Sequence, residues 1–344
     1  IGYLIPNLKR PNLTVTGNAF VHRVLFEGKR AVGVEVEIDH KMQTIRGGEV
    51  VLCAGAIKSP HILLLSGVGP AEELKALGIP VVHDLAMVGK NLTDHPDMYI
   101  HYQPIDDLPS DPEMFMAQTA LHYTAEGSDV IGGMEILPIV VNFRTQMVGN
   151  STGRSALRGA LDVVKRPGRT LRSLRGVSMK KALDEVKHQS QLRFLANSQH
   201  EDSRGEVRIR STDAHTAPEL QYNYLSEATD RARARSNVRM AIELLESKPM
   251  RPFVVRRTSP EGIDLASDQE LDQWLMTKMG TAFHTSSTCK MGAATDETAV
   301  VDQMCRVHGV DNLRVVDTSI MPEIVRRGPN ATAIMIGERA AEFF

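Results

Sequence analysis

Three stretches of this sequence combine residue types that could do chemistry. The first is GAIKSPHILLLSGVG, Gly55 to Gly69, with VGKNLTDHP, Val88 to Pro96, behind it. A near-continuous apolar run, Glu49 to Ala54, ends in Gly55 and is followed at once by a helix. Strand, glycine turn and helix N-terminus in that order suit an anionic nucleotide cofactor, because free backbone amides and the helix dipole face the ligand. The second stretch, FHTSSTCKMG from Phe283 to Gly292, sets His284 among small hydroxylated residues. Imidazole titrates close to neutral pH and can take or give a proton there, although a lone histidine is more often a satisfied structural side chain. The third, Arg314 to Ala341, joins a strand-end acid, Asp317, to a Pro-bearing loop and a helix beginning near Asn330 and Ala331. That helix N-terminus could stabilise negative charge.

The elements that position these residues follow from periodicity. Leu13 to Thr16, Val21 to Phe26 and Ala31 to Ile38 have the alternating, β-branched character of paired strands, with Gly28 in a turn. Glu49 to Ala54 and Asn312 to Asp317 read as buried strands of a parallel sheet. Ser59 is expected to cap the helix after Gly55, with Pro60 at its first position. From about Pro96 to Gly280 the texture changes to mixed strands and helices, and after Gly280 the parallel texture returns. The expected organisation is therefore an α/β domain built from residues 1–95 and 281–344 around an inserted domain, 96–280.

Composition narrows the class. The 344 residues carry 40 Lys+Arg against 42 Asp+Glu, a net charge of -2, so no global charge points to nucleic acid or a membrane surface. Hydrophobic content of 42% and charged content of 24% describe a folded globular protein. No apolar run approaches the ~18 residues of a membrane span. Cys53, Cys289 and Cys305 are few, odd in number and widely spaced, which argues against a disulfide framework or a zinc site and for a reducing, cytoplasmic setting. Residues 151–181 hold nine basic side chains against the single acid Asp162. This run is read first as a solvated face, with a peripheral docking surface for anionic lipid or an electron-accepting partner as the alternative.

In this order and spacing, the three stretches resemble the glucose-methanol-choline (GMC) family of FAD-dependent oxidoreductases. RPNLTVTGNAFVHRV, AVGVEV, SRGEVRIRSTD and YNYLSEATD extend the likeness over nearly the whole chain, leaving about 104 to 190 divergent. The family's opening GxGxxG unit is missing, so the chain is expected to be the C-terminal part of a longer enzyme.

The resemblance implies a discontinuous, Rossmann-like FAD-binding domain with an inserted α+β substrate-binding domain, antiparallel sheet plus helices, whose sheet roofs the active site. It implies oxidation of a small-molecule alcohol by hydride transfer to flavin N5, with an acceptor, oxygen or another, left open. By position, Val21 matches the residue whose backbone meets the adenine, and Gly55 lies beside the nucleotide. Asp317 and Thr318 match the pair near the pyrophosphate and ribityl chain, while Asn330 and Ala331 begin the helix pointing at the flavin ring. His284 matches the active-site histidine. Asp97 sits where choline-oxidising members place a carboxylate for the substrate's trimethylammonium group.

The second active-site position departs from the pattern, because the family's usual His or Asn falls at Gly328. Either Asn330 or a water replaces it, or the loop is shifted, or the reaction differs. The same departure keeps a redox-neutral lyase or decarboxylase as an alternative, and the missing unit keeps that of an inactive fragment.

Overall fold

The computed structural model describes residues 2–105, 119–142 and 190–344. The basic run at 151–181 lies outside the described residues. In chain order, a short helix α1 (Leu4–Asn7) precedes strands β1 (Ala19–Glu27), β2 (Arg30–Ile38), β3 (Lys41–Arg46) and β4 (Val50–Leu52). Helix α2 (Gly55–Leu65), β5 (Val68–Gly69), α3 (Ala71–Ala76) and β6 (His83–Asp84) follow. Then come β7 (Pro96–Pro104), β8 (Leu121–Tyr123), β9 (Met134–Asn142), β10 (Ser190–Ser198), β11 (Glu206–Arg208) and β12 (Glu219–Gln221). The remainder comprises α4 (Ala228–Leu245), β13 (Val254–Ser259), α5 (Asp268–Lys278), β14 (Gly280–Thr281), β15 (Leu313–Val315) and α6 (Asn330–Ala340).

The chain divides into two units. The first holds residues 1–94, 203–224 and 283–344, the second 95–202 and 225–282. Residues 203–224, which lie within the expected middle domain 96–280, pack with the first unit. The reason is local. Leu92 and Gly205 exchange backbone hydrogen bonds of 2.9 and 2.8 Å, Val207 N–H donates to Gly89 O at 2.7 Å, and Lys90 pairs with Glu206 at 2.6 Å.

In the first unit, β1, β2 and β3 form an antiparallel meander, and β4 pairs β15 in parallel, Leu313 against Val50 and Val315 against Leu52. Val24, Ala31, Leu52, Leu63, Leu74, Val301, Leu313 and Val315 build its core. Among the strands of the described residues, β4–β15 and β5–β6 are the parallel pairs, and isolated parallel bridges join Arg30 to Asp311 and Met291 to Val301. The expected buried character of residues 49–54 holds on one face only, because Val50 and Leu52 are buried while Val51 and Cys53 are exposed. The Cys53 thiol is pushed up to about 11, first by partial burial and then by the Asp317 carboxylate, so it is not a thiolate at neutral pH.

Helix α2 begins five residues before the expected start. Ser59 is not its cap, and Pro60 lies inside it. Proline cannot donate to the carbonyl four residues back. The Ala56 carbonyl left over accepts the Thr288 hydroxyl at 2.6 Å instead. The helix ends at Gly67, whose φ of +83° suits glycine. A Cβ there would lie 2.2 Å from the Pro80 carbonyl oxygen. Gly67→Ala is therefore expected to destabilise the fold by about 2–4 kcal/mol, read as a lowered urea midpoint.

The second unit is an antiparallel sheet in the order β13-β7-β10-β9-β8, with β14 on β7. Helix α4 packs against β7, β9 and β10 through Ala234, Val238, Ala241, Ile242 and Leu245, one face at helical spacing. Antiparallel sheet plus helices is the kind of architecture that the family resemblance implied for this part of the chain.

Candidate active site

His284 is placed through its backbone. Its N–H donates to Asp94 Oδ1 at 2.8 Å, and Asp94, only 1% exposed, accepts the Tyr224 hydroxyl on Oδ2 at 2.8 Å. Tyr224 in turn stacks on Tyr222, with ring centroids 4.9 Å apart. Both oxygens of this buried carboxylate thus accept a hydrogen bond. The imidazole remains partly exposed, and Phe283 before it holds a φ of +60° that turns the chain at this point.

The hydroxylated neighbours of His284 are bolts. Thr93 and Ser286 exchange backbone hydrogen bonds of 3.1 and 2.9 Å, and their hydroxyls meet at 3.0 Å. The Thr93 hydroxyl also reaches Ser287 Oγ at 2.8 Å. Thr288 closes the gap in α2, and Cys289 is fully buried in the core. These contacts explain why small polar residues surround the histidine: each hydroxyl satisfies a buried partner at short range.

The loop leading to α6 passes beside the imidazole. A Cβ built on Gly328 would lie 3.6 Å from both Cε1 and Nε2 of His284. The position with no side chain is thus the one next to the ring. Asn330 is the first residue of α6, is exposed like Ala331, and Pro329 before it offers no side-chain cap. The first backbone N–H groups of this eleven-residue helix have no capping side chain, so its positive end is open to an anionic partner.

On the nucleotide side, Asp317 fastens β15 to α2. Its Oδ2 accepts the Gly55 N–H at 2.9 Å and the Ser59 hydroxyl at 2.5 Å, while Oδ1 accepts the Ser319 N–H at 2.8 Å. Gly55 has a φ of +78°, and a Cβ there would meet nothing within 4 Å, which leaves its backbone open to a ligand. The Thr318 hydroxyl donates to Thr285 O at 3.3 Å, and its carbonyl accepts Ser287 N–H at 3.2 Å. Val21 pairs with Val36 in the meander at the edge of the core.

The first unit therefore brings Gly55 to Asp317, Thr318 to the residue after His284, and Gly328 to His284. Asp97 belongs to the second unit. It is 4% exposed on β7, between Asn197 of β10 and Gly280 of β14. Sequence reasoning missed Asp94 and Tyr224 as the supports of His284, and Ser59 and Thr288 as side chains that serve other elements.

Models of the GMC oxidoreductase family match residues 1–97 and 201–337. Among similar proteins, an uncharacterised GMC-type oxidoreductase of Rhodococcus erythropolis is 37% identical over 341 residues, covering 99% of this chain and 58% of that protein. An oxygen-dependent choline dehydrogenase of Pectobacterium carotovorum is 37% identical over 366 residues, with the same coverage of 99% and 58%. The chain thus spans less than two thirds of the length of these relatives. Pyridoxine 4-oxidase from Mesorbium loti superposes with a TM-score of 0.78 at 24% identity, covering 98% of this chain and 59% of that one. A fungal aryl-alcohol oxidase follows at 0.65 and 25% identity, covering 94% and 60%. With both family segments matched and the likeness running end to end, the chain belongs to the GMC oxidoreductase family.

Proposed function

We propose that this chain serves an FAD-dependent oxidation of an alcohol CH–OH group, and that it carries the substrate side of that reaction. The observation that supports the reading most directly is the Asp94-supported His284, with the Gly328 loop against its ring. The open backbone at Gly55 and the uncapped N-terminus of α6 fit an anionic dinucleotide. When bound, FAD would supply the hydride acceptor. The residues assigned to hold it are Val21 by its backbone, Gly55, Asp317, Thr318, and Asn330 and Ala331 at the positive end of α6, within a Rossmann-like domain. Asp317, with both oxygens engaged by this chain's own donors, acts by fixing the Gly55 turn.

His284 is assigned the alcohol proton. An alkoxide gives up hydride more readily than an alcohol does, so a base that takes the hydroxyl proton and a donor that holds the oxygen lower the barrier together. Glycine at 328 supplies no donor, and that role falls to Asn330 or to a water beside the ring. Asp97 is assigned the cationic group of a choline-like substrate, a reading supported by the relatives named as choline dehydrogenases. The three unpaired cysteines support a reducing, cytoplasmic compartment.

The test is anaerobic flavin bleaching in the full enzyme. Choline or a neutral alcohol is expected to bleach the flavin in stoichiometric amount, and a spectrum unchanged by either would remove the redox assignment. Asp97→Asn is expected to raise KM for choline by about 10-fold or more, with little change for a neutral alcohol of similar size. An equal effect on both substrates would reduce Asp97 to a structural role.

A further inference from the structure

Next to Val21 in the chain, the first unit gathers an unassigned donor set. His22 Nε2 lies 3.3 Å from Glu37 Oε2, and His215 Nε2 lies 2.8 Å from the same oxygen. All three ligand atoms fall within 4.8 Å of one another. We propose that His22, Glu37 and His215 form a binding site for a divalent first-row transition metal such as zinc, with its remaining position open to solvent.

Local geometry supports convergence on one point. The β1–β2 register slips between Val21 and Arg23, so His22 is the extra residue of a bulge, and bulges re-aim a side chain. Its neighbour Phe20 stands directly across from Glu37. The Phe20 ring stacks on His215 at 4.4 Å and 15°, and meets His22 edge-on at 5.4 Å. Two imidazoles are thereby oriented by one aromatic ring. The main chain of His215 is held as well, its backbone N–H donating to Asp213 Oδ1 at 3.0 Å.

The chemistry suits a metal. Zinc takes histidine nitrogen and carboxylate oxygen at about 2.0–2.2 Å, which places tetrahedral neighbours about 3.3 Å apart. The His22–Glu37 edge of the donor triangle, 3.3 Å, already has that length, the His215–Glu37 edge is 2.8 Å and the third lies within 4.8 Å, while His215, whose side chain is 52% exposed, has room to adjust. That exposure also gives an ion its path in, while His22 and Glu37, both 19% exposed, supply the shielded side. Imidazole with carboxylate selects zinc, copper, nickel or cobalt over calcium or magnesium. The ligands come from residues 22 and 37 on one side and 215 on the other, so a bound ion would tie the β1–β2 meander to the loop before β12.

The probe is Co2+ added to the purified chain, followed by visible absorption, with Zn2+ displacement to give stoichiometry. One equivalent with the intense bands of low-coordinate cobalt is expected, together with a rise in Tm on adding Zn2+. His22→Ala and His215→Ala, checked by far-UV circular dichroism, are each expected to weaken binding by more than about 10-fold and to abolish the Tm shift. Glu37→Gln, close in shape to the native side chain, is expected to do the same without loss of fold. Absence of those bands in the native chain, or undiminished affinity in the folded variants, would overturn the site.

Discussion

His284→Gln in the full enzyme is expected to lower kcat by about 10²–10⁴-fold, or about 3–5 kcal/mol of barrier, with flavin content unchanged. The separation of these two effects follows from how the residue is held. Asp94 accepts from the backbone N–H of residue 284, so the variant keeps that contact and the loop keeps its course. The hydroxyl ladder from Thr93 to Ser286 and Ser287 is equally indifferent to the side chain at 284. What the variant loses is a group able to take a proton beside Gly328, a position that itself carries no side chain. Stopped-flow reduction of the flavin by substrate measures this directly. A rate within a few-fold of the native enzyme would make His284 structural and remove it from the reaction.

Acidification from pH 6.5 towards pH 4 is expected to withdraw about 3 kcal/mol of folding stability through His61 alone. This imidazole is 2% exposed on α2, and its pKa is lowered to about 4, first by burial and then by Lys58, whose Nζ stands 3.2 Å from Nδ1. In the unfolded chain the same group titrates near 6.5. Between these values the unfolded state binds the extra proton, so the contribution is whole above pH 6.5 and is lost as pH falls towards 4. Urea unfolding of native protein and His61→Leu at pH 7.5 and pH 4.5 isolates it. The native chain should lose more stability than the variant over that interval, and equal losses would mean that His61 is not the sensor.

Much of the site was legible because its signals are local. Alternation marked β1 and β2, and apolar runs marked β4 and β15. What was hidden depends on pairs far apart in sequence. Pro60 looked like a helix start because nothing in its neighbourhood reveals that Thr288 satisfies the carbonyl it leaves over. Asp94 gave no sign of supporting residue 284, since a carboxylate before His95 and Pro96 reads equally well as surface. Residues 203–224 follow the β10 strand without a break in composition, and only the pairing of Leu92 with Gly205 draws them into the first unit. The exposure of Cys53 was concealed for the opposite reason: an apolar run says that a strand is buried but not on how many faces.

The bond from Thr288 to the Ala56 carbonyl also constrains the order in which this protein can change. With Pro60 present, loss of the Thr288 hydroxyl strands a buried acceptor. With alanine at 60, a backbone N–H becomes available to the same carbonyl, and the hydroxyl is dispensable. The two positions are therefore epistatic in a directional sense, because one sequence of replacements passes through a weakened intermediate and the other does not. A single hydrogen bond thus links the history of α2 to that of the loop carrying His284.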